Sequence, residues 1–306
     1  MNKTFIFGHK NPDTDSITSS LVMADFEKQL GNDSVVSCRL GNINKETEYV
    51  LNYLGIEAPM LIEDLEDGSE VILVDTSNPG ELIPNLSNVK IKKIIDHHQI
   101  LINTGYPIFY RAEPVGCTET ILYKLYKENN IEISPKIATL MLSAIISDTL
   151  LFKSPTCTAD DKNAVIELSK IANIDYEKYG MDMLKAGTDL SDYTAEQLIN
   201  IDAKYTTMNG NPLIIAQVNT VDINDVMKNK FELEHAINSV IKEKGLNLFM
   251  LAITDIVNSN SQIIALGNRT DMVEKAFNIT LKDNTAFLPG VVSRKKQIVP
   301  VLQENA

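Results

Sequence analysis

The first half of the chain alternates short apolar runs with longer segments whose apolar residues recur at helical spacing. The short runs are rich in β-branched residues and have the length of strands; they are Thr4–Gly8, Ser34–Leu40, Val71–Asp75 and Ile91–Asp96. Helices are predicted for Ile17–Gly31, Glu46–Gly55, Ser134–Leu151 and Thr158–Ala172. Strands that alternate with helices predict an α/β fold with a mostly parallel sheet and helices on both faces.

The pattern changes after the polar segment Ala186–Ala195, which lacks periodicity and is typical of an interdomain linker. Beyond it, two strands are predicted within Tyr205–Val218, joined across Asn209–Pro212. A second strand pair is predicted for Leu248–Val257 and Gln262–Leu266, and a helix for Asn224–Lys244. We therefore predict a first domain over residues 1–187, a hinge over 188–194 and a smaller α/β domain with a mixed sheet over 195–306.

Composition narrows the possible partners and the compartment. The 306 residues carry a formal net charge of −13, which disfavours nucleic acid and anionic membrane surfaces as partners. Three widely spaced cysteines indicate neither a disulfide framework nor a CxxC metal site. The chain starts without a signal-peptide pattern and has no apolar stretch long enough to span a membrane. We expect a cytoplasmic protein.

Aspartates and histidines cluster where apolar runs end. His9, Asp13 and Asp15 follow the first predicted strand, and Asp75 ends the third. The segment IIDHH contributes Asp96, His97 and His98, and ISDT, near Ile145, contributes Asp148. Because ligands of an open α/β sheet bind at the carboxyl ends of its strands, we expect these four segments to deliver their polar side chains to one edge.

Each of these residues also has an ordinary structural explanation. Asp15 could be the N-cap of the helix near Ile17, and Asp75 and Asp148 could cap turns. Together they are better explained by a metal site, because converging carboxylates repel one another unless a cation neutralises them. Carboxylate and imidazole ligands without thiolate suit Mn²⁺, Co²⁺ or Mg²⁺. Six ligands are enough for two ions about 3.5–4 Å apart that share a carboxylate.

A basic segment near the C-terminus is the second chemical signal. Arg294, Lys295 and Lys296 are consecutive in an otherwise acidic chain and follow Pro289-Gly290. Such a run is usually a solvated patch, but arginine and lysine together also suit the oxygens of a phosphate group. A Walker P-loop is absent from the sequence. We expect a phosphorylated substrate to bind between a metal-bearing domain and this cationic segment, with domain closure about the hinge.

Five segments in this order, GHKNPDTDS, VDTS, DHH, SDT and SRKKQ, resemble the DHH phosphoesterase superfamily and, within it, the manganese-dependent (family II) inorganic pyrophosphatases. The resemblance spans the whole chain. It implies hydrolysis of pyrophosphate to two orthophosphates by in-line attack of a metal-bridging hydroxide. It further implies two Mn²⁺ per subunit, with Co²⁺ possible, Mg²⁺ bound with the substrate, and a homodimer formed through the N-terminal domain.

The resemblance also assigns roles to individual residues. It implies one metal site of His9, Asp13 and Asp75, and a second of Asp15, Asp75, His97 and Asp148. Asp75 would then bridge the two ions, and Asp96 would orient the neighbouring imidazoles. The catalytic, substrate-binding residues implied are His98, Lys204, Arg294 and Lys295, with Ser293 as a further substrate contact.

Other functions remain open on sequence grounds. A DHH-type phosphodiesterase is disfavoured because the chain lacks a GGGH segment, while a short-chain polyphosphatase is harder to separate from a pyrophosphatase. A metal-binding module without catalysis would not need the basic segment. About twenty residues separate Asp75 from Asp96, so the nucleotide-sensing CBS insert of some family members is missing and regulation by adenine nucleotides is not expected.

Overall fold

The computed structural model describes residues 3–305. The chain divides into two compact units, the first ending at Gly187 and the second beginning at Thr188. Residues 188–194 form turns and irregular structure. Within the described residues, none of the helices has the length and apolar character needed to cross a membrane.

The first unit consists of one sheet and its covering helices. Its strands are β1 (Thr4–Phe7), β2 (Val35–Arg39), β3 (Met60–Leu61), β4 (Glu70–Val74), β5 (Lys90–Asp96) and β6 (Phe109–Ala112). Its α-helices are α1 (Thr14–Gln29), α2 (Lys45–Leu54), α3 (Thr118–Glu128), α4 (Pro135–Thr149), α5 (Ala159–Ala172) and α6 (Tyr176–Gly187). The strand order is β3-β2-β1-β4-β5-β6, and every neighbouring pair is parallel.

Both faces of this sheet are covered, as expected for buried parallel strands. The α1 and α3 helices pack on the strands from one side. The opposite face, which carries Phe7, Cys38 and Leu73, packs against Leu82 and Ile83, next to two short 3-10 helices, 79–81 and 86–88. The predicted α/β fold with a parallel sheet is confirmed.

Two helix ends of the first unit place residues of the site. The α1 helix begins at Thr14, and its N-cap is Asp13, whose side chain accepts a hydrogen bond from Ser16 N. Asp15 is therefore not the N-cap but lies in the first turn. Asp148 lies in the last turn of α4, in agreement with the helix predicted over Ser134–Leu151, so it reaches the site from a helix end and not from a strand end.

The second unit has a mixed sheet, as predicted. Its strands are β7 (Ala203–Met208), β8 (Asn211–Thr220), β9 (Leu248–Asp255), β10 (Asn260–Leu266) and β11 (Thr285–Pro289), in the order β11-β10-β9-β8-β7. Only β8 and β9 pair in parallel among these neighbours. The helices are α7 (Ala195–Leu198), α8 (Ile223–Met227), α9 (Lys230–Lys244), α10 (Asp271–Phe277) and α11 (Val299–Asn305), and a π-helical turn spans Arg294–Ile298.

Two features of this unit concern the turn between β7 and β8 and the break between α8 and α9. Asn209 and Gly210 both have positive φ angles, of 45° and 76°, so they form the tight turn between β7 and β8 that an Asn-Gly pair favours. The single helix predicted over Asn224–Lys244 is wrong. The chain leaves helical geometry at Asn229 (φ −98°, ψ 22°), which separates α8 from α9.

Candidate metal centre

Four segments of the first unit bring their polar side chains together at the carboxyl end of the sheet. Ligand atoms of His9, Asp13 and Asp75 lie within 4.8 Å of one another, and so do those of Asp15, His97 and Asp148. The first two segments follow β1 and β4, the third follows β5, and the fourth is the end of α4. The six predicted ligand residues thus form two adjoining clusters.

Asp75 belongs to the first cluster, and its carboxylate also faces the histidine of the second. Its Oδ2 is 3.3 Å from His9 Nε2, and its Oδ1 is 3.5 Å from His97 Nε2. Asp75 follows β4 directly and has a positive φ of 60°, an uncommon conformation outside glycine, while its amide still donates to Ile95 O. This turn ends the strand and brings the Asp75 carboxylate between the two imidazoles.

His97 joins the second cluster through one ring nitrogen. Its Nε2 lies 3.9 Å from both Asp15 Oδ2 and Asp148 Oδ2. Its Nδ1 is 3.1 Å from Val115 O, and a carbonyl can only accept, so Nδ1 carries the proton. Nε2 is therefore the ring nitrogen that faces the aspartates, and it can bind a metal ion once it gives up its proton.

A second layer of groups holds the aspartates, and the sequence motifs did not reveal it. Thr118, the first residue of α3, donates its amide to Asp15 Oδ2 (2.7 Å) and its hydroxyl to Asp75 Oδ1 (3.2 Å). Ser19 donates to Asp15 Oδ1 at 2.8 Å. Threonine and serine are common at and near helix starts, so their identity in the sequence did not indicate contact with residues 43 and 103 positions away.

Asp96 and His98 form a separate pair beside the clusters. Asp96 Oδ1 accepts a hydrogen bond from His98 N and lies 3.0 Å from His98 Nδ1. The expectation that Asp96 orients both imidazoles is too broad, because the hydrogen bond from Nδ1 of His97 goes to Val115 instead. His98 also lies 3.6 Å from Asp75 Oδ1 and is about half exposed.

The pKa values reflect an excess of negative charge. Burial opposes protonation of His9, but Asp13 and Asp75 outweigh it and raise the pKa of His9 to about 10. In the same way, Asp75 and Asp15 raise the pKa of His97 to about 9 against the effect of burial. Burial and the neighbouring Asp75 raise the pKa of Asp15 to about 7, and burial with Asp15 raises that of Asp148 well above its usual range. Only Asp75, buried between two imidazoles that overcome its desolvation, has a lowered pKa.

These residues fit a divalent metal ion. Asp75 Oδ2 is buried and makes no hydrogen bond, so the approach of His9 Nε2 at 3.3 Å leaves part of its capacity to accept a hydrogen bond or a cation unused. The donor atoms are carboxylate oxygens and imidazole nitrogens, the set that suits Mn²⁺. A cation would also relieve the repulsion that raises the pKa values of Asp15 and Asp148.

A cavity of about 350 Å³ in the first unit opens beside the first cluster. His9, Asp75 and His98 line it, together with Lys10, Asn11, Gly80 and Glu81. A small ligand in this cavity would be in contact with residues of the clusters and with the exposed lysine Lys10, which the sequence motifs did not single out.

The remaining predicted site residues belong to the second unit. Lys204 is exposed on β7, and Ser293 is the N-cap of the π-helical turn that contains Arg294 and Lys295. Lys295 is exposed, but the Arg294 side chain is only 13% exposed, and its Nη1 lies 2.9 Å from Asp202 Oδ2. The explanation of the basic segment as a fully solvated patch does not hold for Arg294, because Asp202 forms an ion pair with it and shields it.

Comparisons with known proteins agree with the motifs. Residues 3–145 match the model of the DHH family, N-terminal domain, and residues 181–305 match that of the DHHA2 domain. The chain is 54% identical over 306 residues to the manganese-dependent inorganic pyrophosphatase of Bacillus subtilis (strain 168), covering 99% of each sequence. It is 52% identical over 305 residues to a probable manganese-dependent inorganic pyrophosphatase of Staphylococcus epidermidis, again over 99% of each.

Solved structures give the same result. A putative family II inorganic pyrophosphatase from Methanococcus jannaschii matches with a TM-score of 0.63 and 41% identity over 99% of both chains. An exopolyphosphatase-related protein from Bacteroides fragilis matches with a TM-score of 0.50 at 16% identity, which shows a likeness of fold alone. The chain is a two-domain DHH–DHHA2 protein and belongs to the family of manganese-dependent inorganic pyrophosphatases. The resemblance predicted from the five motifs is confirmed.

Replacing His97 by glutamine should weaken Mn²⁺ binding about 10–100-fold while leaving Mg²⁺ binding nearly unchanged, because imidazole is the softer donor and Mg²⁺ prefers oxygen. Titration calorimetry of metal-depleted protein with each ion measures both affinities. His235→Gln on the exposed side of α9 is the matched control and should bind both ions like the wild type. An unchanged Mn²⁺ affinity in His97→Gln would exclude His97 as a ligand.

Glu119 in the first turn of α3 should make stability fall as pH rises. It is fully buried, neither carboxylate oxygen has a hydrogen-bond partner, and burial together with Asp15 raises its pKa well above the usual value. The folded protein therefore keeps a proton on Glu119 that the unfolded chain releases above the ordinary pKa of glutamate. The free energy of unfolding consequently falls as the pH rises above that value. Glu119→Gln cannot ionise and should be more stable than wild type, increasingly so towards pH 8.

Urea unfolding of metal-depleted protein between pH 5.5 and 8.5 measures this difference. Glu57→Gln, at an exposed position, removes the same charge and should follow the wild-type profile. Parallel pH profiles for wild type and Glu119→Gln would contradict the assignment of a raised pKa to Glu119.

Proposed function

We propose that this protein is an inorganic pyrophosphatase that hydrolyses pyrophosphate to two orthophosphates with the help of two Mn²⁺ ions. The observation that carries the proposal is the pair of adjoining carboxylate–imidazole clusters, with the Asp75 carboxylate placed between the histidines of the two. The relatives named above as manganese-dependent inorganic pyrophosphatases match over the full length of the chain and support the same assignment.

In this proposal, one ion is held by His9, Asp13 and Asp75, and the other by Asp15, Asp75, His97 and Asp148. When bound, the ions supply Lewis-acid charge and lower the pKa of the attacking water. Co²⁺ could replace Mn²⁺ at such ligands, and Mg²⁺ would accompany the substrate. Thr118 and Val115 then keep the aspartates and His97 in place, so that the ligands need little reorganisation.

Residues of both units would bind the substrate. His98 lines the cavity of the first unit, and its hydrogen bond with Asp96 raises its pKa, so the ring can donate a charge-assisted hydrogen bond to a phosphate oxygen. Lys204, Arg294 and Lys295, with the Ser293 hydroxyl, would supply the positive charge and donors that the second unit contributes. Arg294 must then exchange or share its contact with Asp202 when the substrate binds.

We also propose that the protein is a cytoplasmic homodimer formed through the first unit. The strand β6 is at the edge of the parallel sheet, and its Phe109 is 47% exposed. Ile100, Leu101 and Tyr106, which precede β6, are also exposed. An unpaired edge strand flanked by exposed apolar side chains favours pairing with a second chain. The three cysteines are free thiols, which suits a reducing compartment.

The experiment that tests the function compares substrates. Purified protein loaded with Mn²⁺, with Mg²⁺ present, should release phosphate rapidly from pyrophosphate and only slightly from tripolyphosphate, oligonucleotides or bis-p-nitrophenyl phosphate. Faster hydrolysis of tripolyphosphate would instead indicate a short-chain polyphosphatase. Degradation of a dinucleotide without action on pyrophosphate would indicate a phosphodiesterase and overturn the proposal.

A further inference from the structure

The side chain of Gln217 on β8 makes hydrogen bonds to the backbone of the basic turn, the segment of residues 290–298 that includes the π-helical turn. The Gln217 amide oxygen accepts a hydrogen bond from Arg294 N at 3.0 Å. Its amide nitrogen donates to Val292 O at 3.0 Å and to Thr254 Oγ1, also at 3.0 Å. One glutamine thus contacts the main chain on both sides of Ser293.

The partners leave only one orientation of this amide. A backbone N–H can only donate and a carbonyl can only accept, so the oxygen of Gln217 must face Arg294 and its nitrogen must face Val292. A shorter, charged or apolar side chain could not make both bonds. Glutamate would keep the bond to Arg294 N but would place a carboxylate oxygen against the Val292 carbonyl, which is repulsive.

The same residue holds the other segment that carries predicted substrate contacts. The backbone N–H of Gln217 donates to Asp202 O at 3.1 Å, and Asp202 lies two positions before Lys204. The guanidinium of Arg294 contacts Asp202 as well. Gln217 on β8 therefore contacts the segment before Lys204 through its backbone N–H and the Arg294 backbone through its side chain.

The other bonds of the turn have a different role. Gln297 accepts hydrogen bonds from Val292 N and Ser293 N and donates to Gly290 O, all within the turn itself. Ser261 on β10 donates to Val291 O, the residue before Val292. Gln297 therefore stabilises the turn from within, whereas Gln217 fixes the position of the Arg294 backbone relative to β7 and β8.

We propose that Gln217 is a positioning residue that acts on catalysis through Arg294. This inference rests on the proposed function, in which Arg294 binds the pyrophosphate. If the Arg294 backbone were free to shift, its guanidinium would be less well preorganised for the phosphate. The substrate would then bind more weakly, because binding would also have to fix the position of the side chain.

A double-mutant cycle tests the proposal. We expect Gln217→Leu to lower kcat/KM for pyrophosphate about 10-fold, mainly through a higher KM. In the Arg294→Ala background the same change should lower kcat/KM by less than about 2-fold, because the group that it positions is already missing. Mn²⁺ content by elemental analysis should equal that of the wild type. Gln262→Leu on β10, the same substitution at a partly buried sheet glutamine, is the matched control and should leave the kinetics unchanged.

The outcomes are distinguishable. Equal losses from Gln217→Leu in both backgrounds would mean a general structural role and would overturn the proposal, as would wild-type kinetics of Gln217→Leu. If Gln217→Leu folds poorly, Gln217→Asn, which stays polar and uncharged but is too short to make both backbone bonds, should give a loss with the same dependence on Arg294. Wild-type kinetics of Arg294→Ala would refute the proposed role of the turn itself, and a wild-type protein inactive on pyrophosphate would refute the proposed function.

Discussion

Asp75→Asn should lower kcat/KM for pyrophosphate by about 10³-fold, the upper end of the effect of removing one electrostatic group from an active site. The reason is that Asp75 links the two clusters, since its two oxygens face His9 and His97, and no other carboxylate does so in the described residues. Asparagine keeps the shape of the side chain but replaces one oxygen by an NH₂ group, which donates and cannot bind a cation. The binding of both metal ions should therefore be weakened.

Steady-state kinetics and elemental analysis after gel filtration measure the two effects. Asp64→Asn, at an exposed position before β4, makes the same change of charge and should retain full metal content and activity. Two Mn²⁺ per chain in Asp75→Asn, with kinetics close to wild type, would exclude Asp75 as a bridging ligand.

Arg294→Ala is expected to have the second largest effect, a fall in kcat/KM of about 10²–10³-fold, because pyrophosphate carries several negative charges and more charge develops on the leaving phosphate oxygen in the transition state. Unlike an exposed cation, Arg294 also contributes to the fold, since it is largely buried against Asp202. We therefore expect the variant to lose about 1 kcal/mol of unfolding free energy, a modest amount because Asp202 is half exposed and can be hydrated instead.

Lys296→Ala is the matched control for this variant. Lys296 lies in the same turn and carries the same charge, but it is exposed, so its removal should change neither the kinetics nor the stability substantially. Urea unfolding and steady-state kinetics on both variants separate the two contributions. A stability loss in Arg294→Ala without a kinetic defect would show that the arginine serves the fold and not the substrate.

The short fourth predicted segment, ISDT, shows where sequence reasoning was limited. Its aspartate was expected with the others because of its composition, and the structure does bring Asp148 to 3.9 Å from His97. The supporting element is nevertheless a helix end rather than a strand end. The helix itself was predicted over Ser134–Leu151, but the position of its C-terminal end beside the strand ends was not, because the packing of a helix on a sheet depends on residues far away in sequence.

Four elements of the first unit were not predicted, the strands β3 and β6 and the helices α3 and α6. The β6 residues, Phe109–Ala112, include Arg111 and are partly or fully exposed, so they do not form the apolar run that marks a buried strand. The start of α3 matters for the site, because Thr118 there binds both Asp15 and Asp75. Nothing in the local pattern indicates that contact.

The sequence by itself determined the alternation of strands and helices, the Asn209-Gly210 turn and the set of aspartates and histidines that end the strands, because periodicity and turn chemistry are properties of neighbouring residues. Only the tertiary structure decided which nitrogen of His97 faces the aspartates, that Asp202 shields Arg294, and that Gln217 holds the basic turn. These features depend on hydrogen bonds and ion pairs between residues 18, 92 and 77 positions apart, respectively. Such contacts form only after the backbone has brought the partners within about 3–4 Å of each other, a distance that local sequence does not encode.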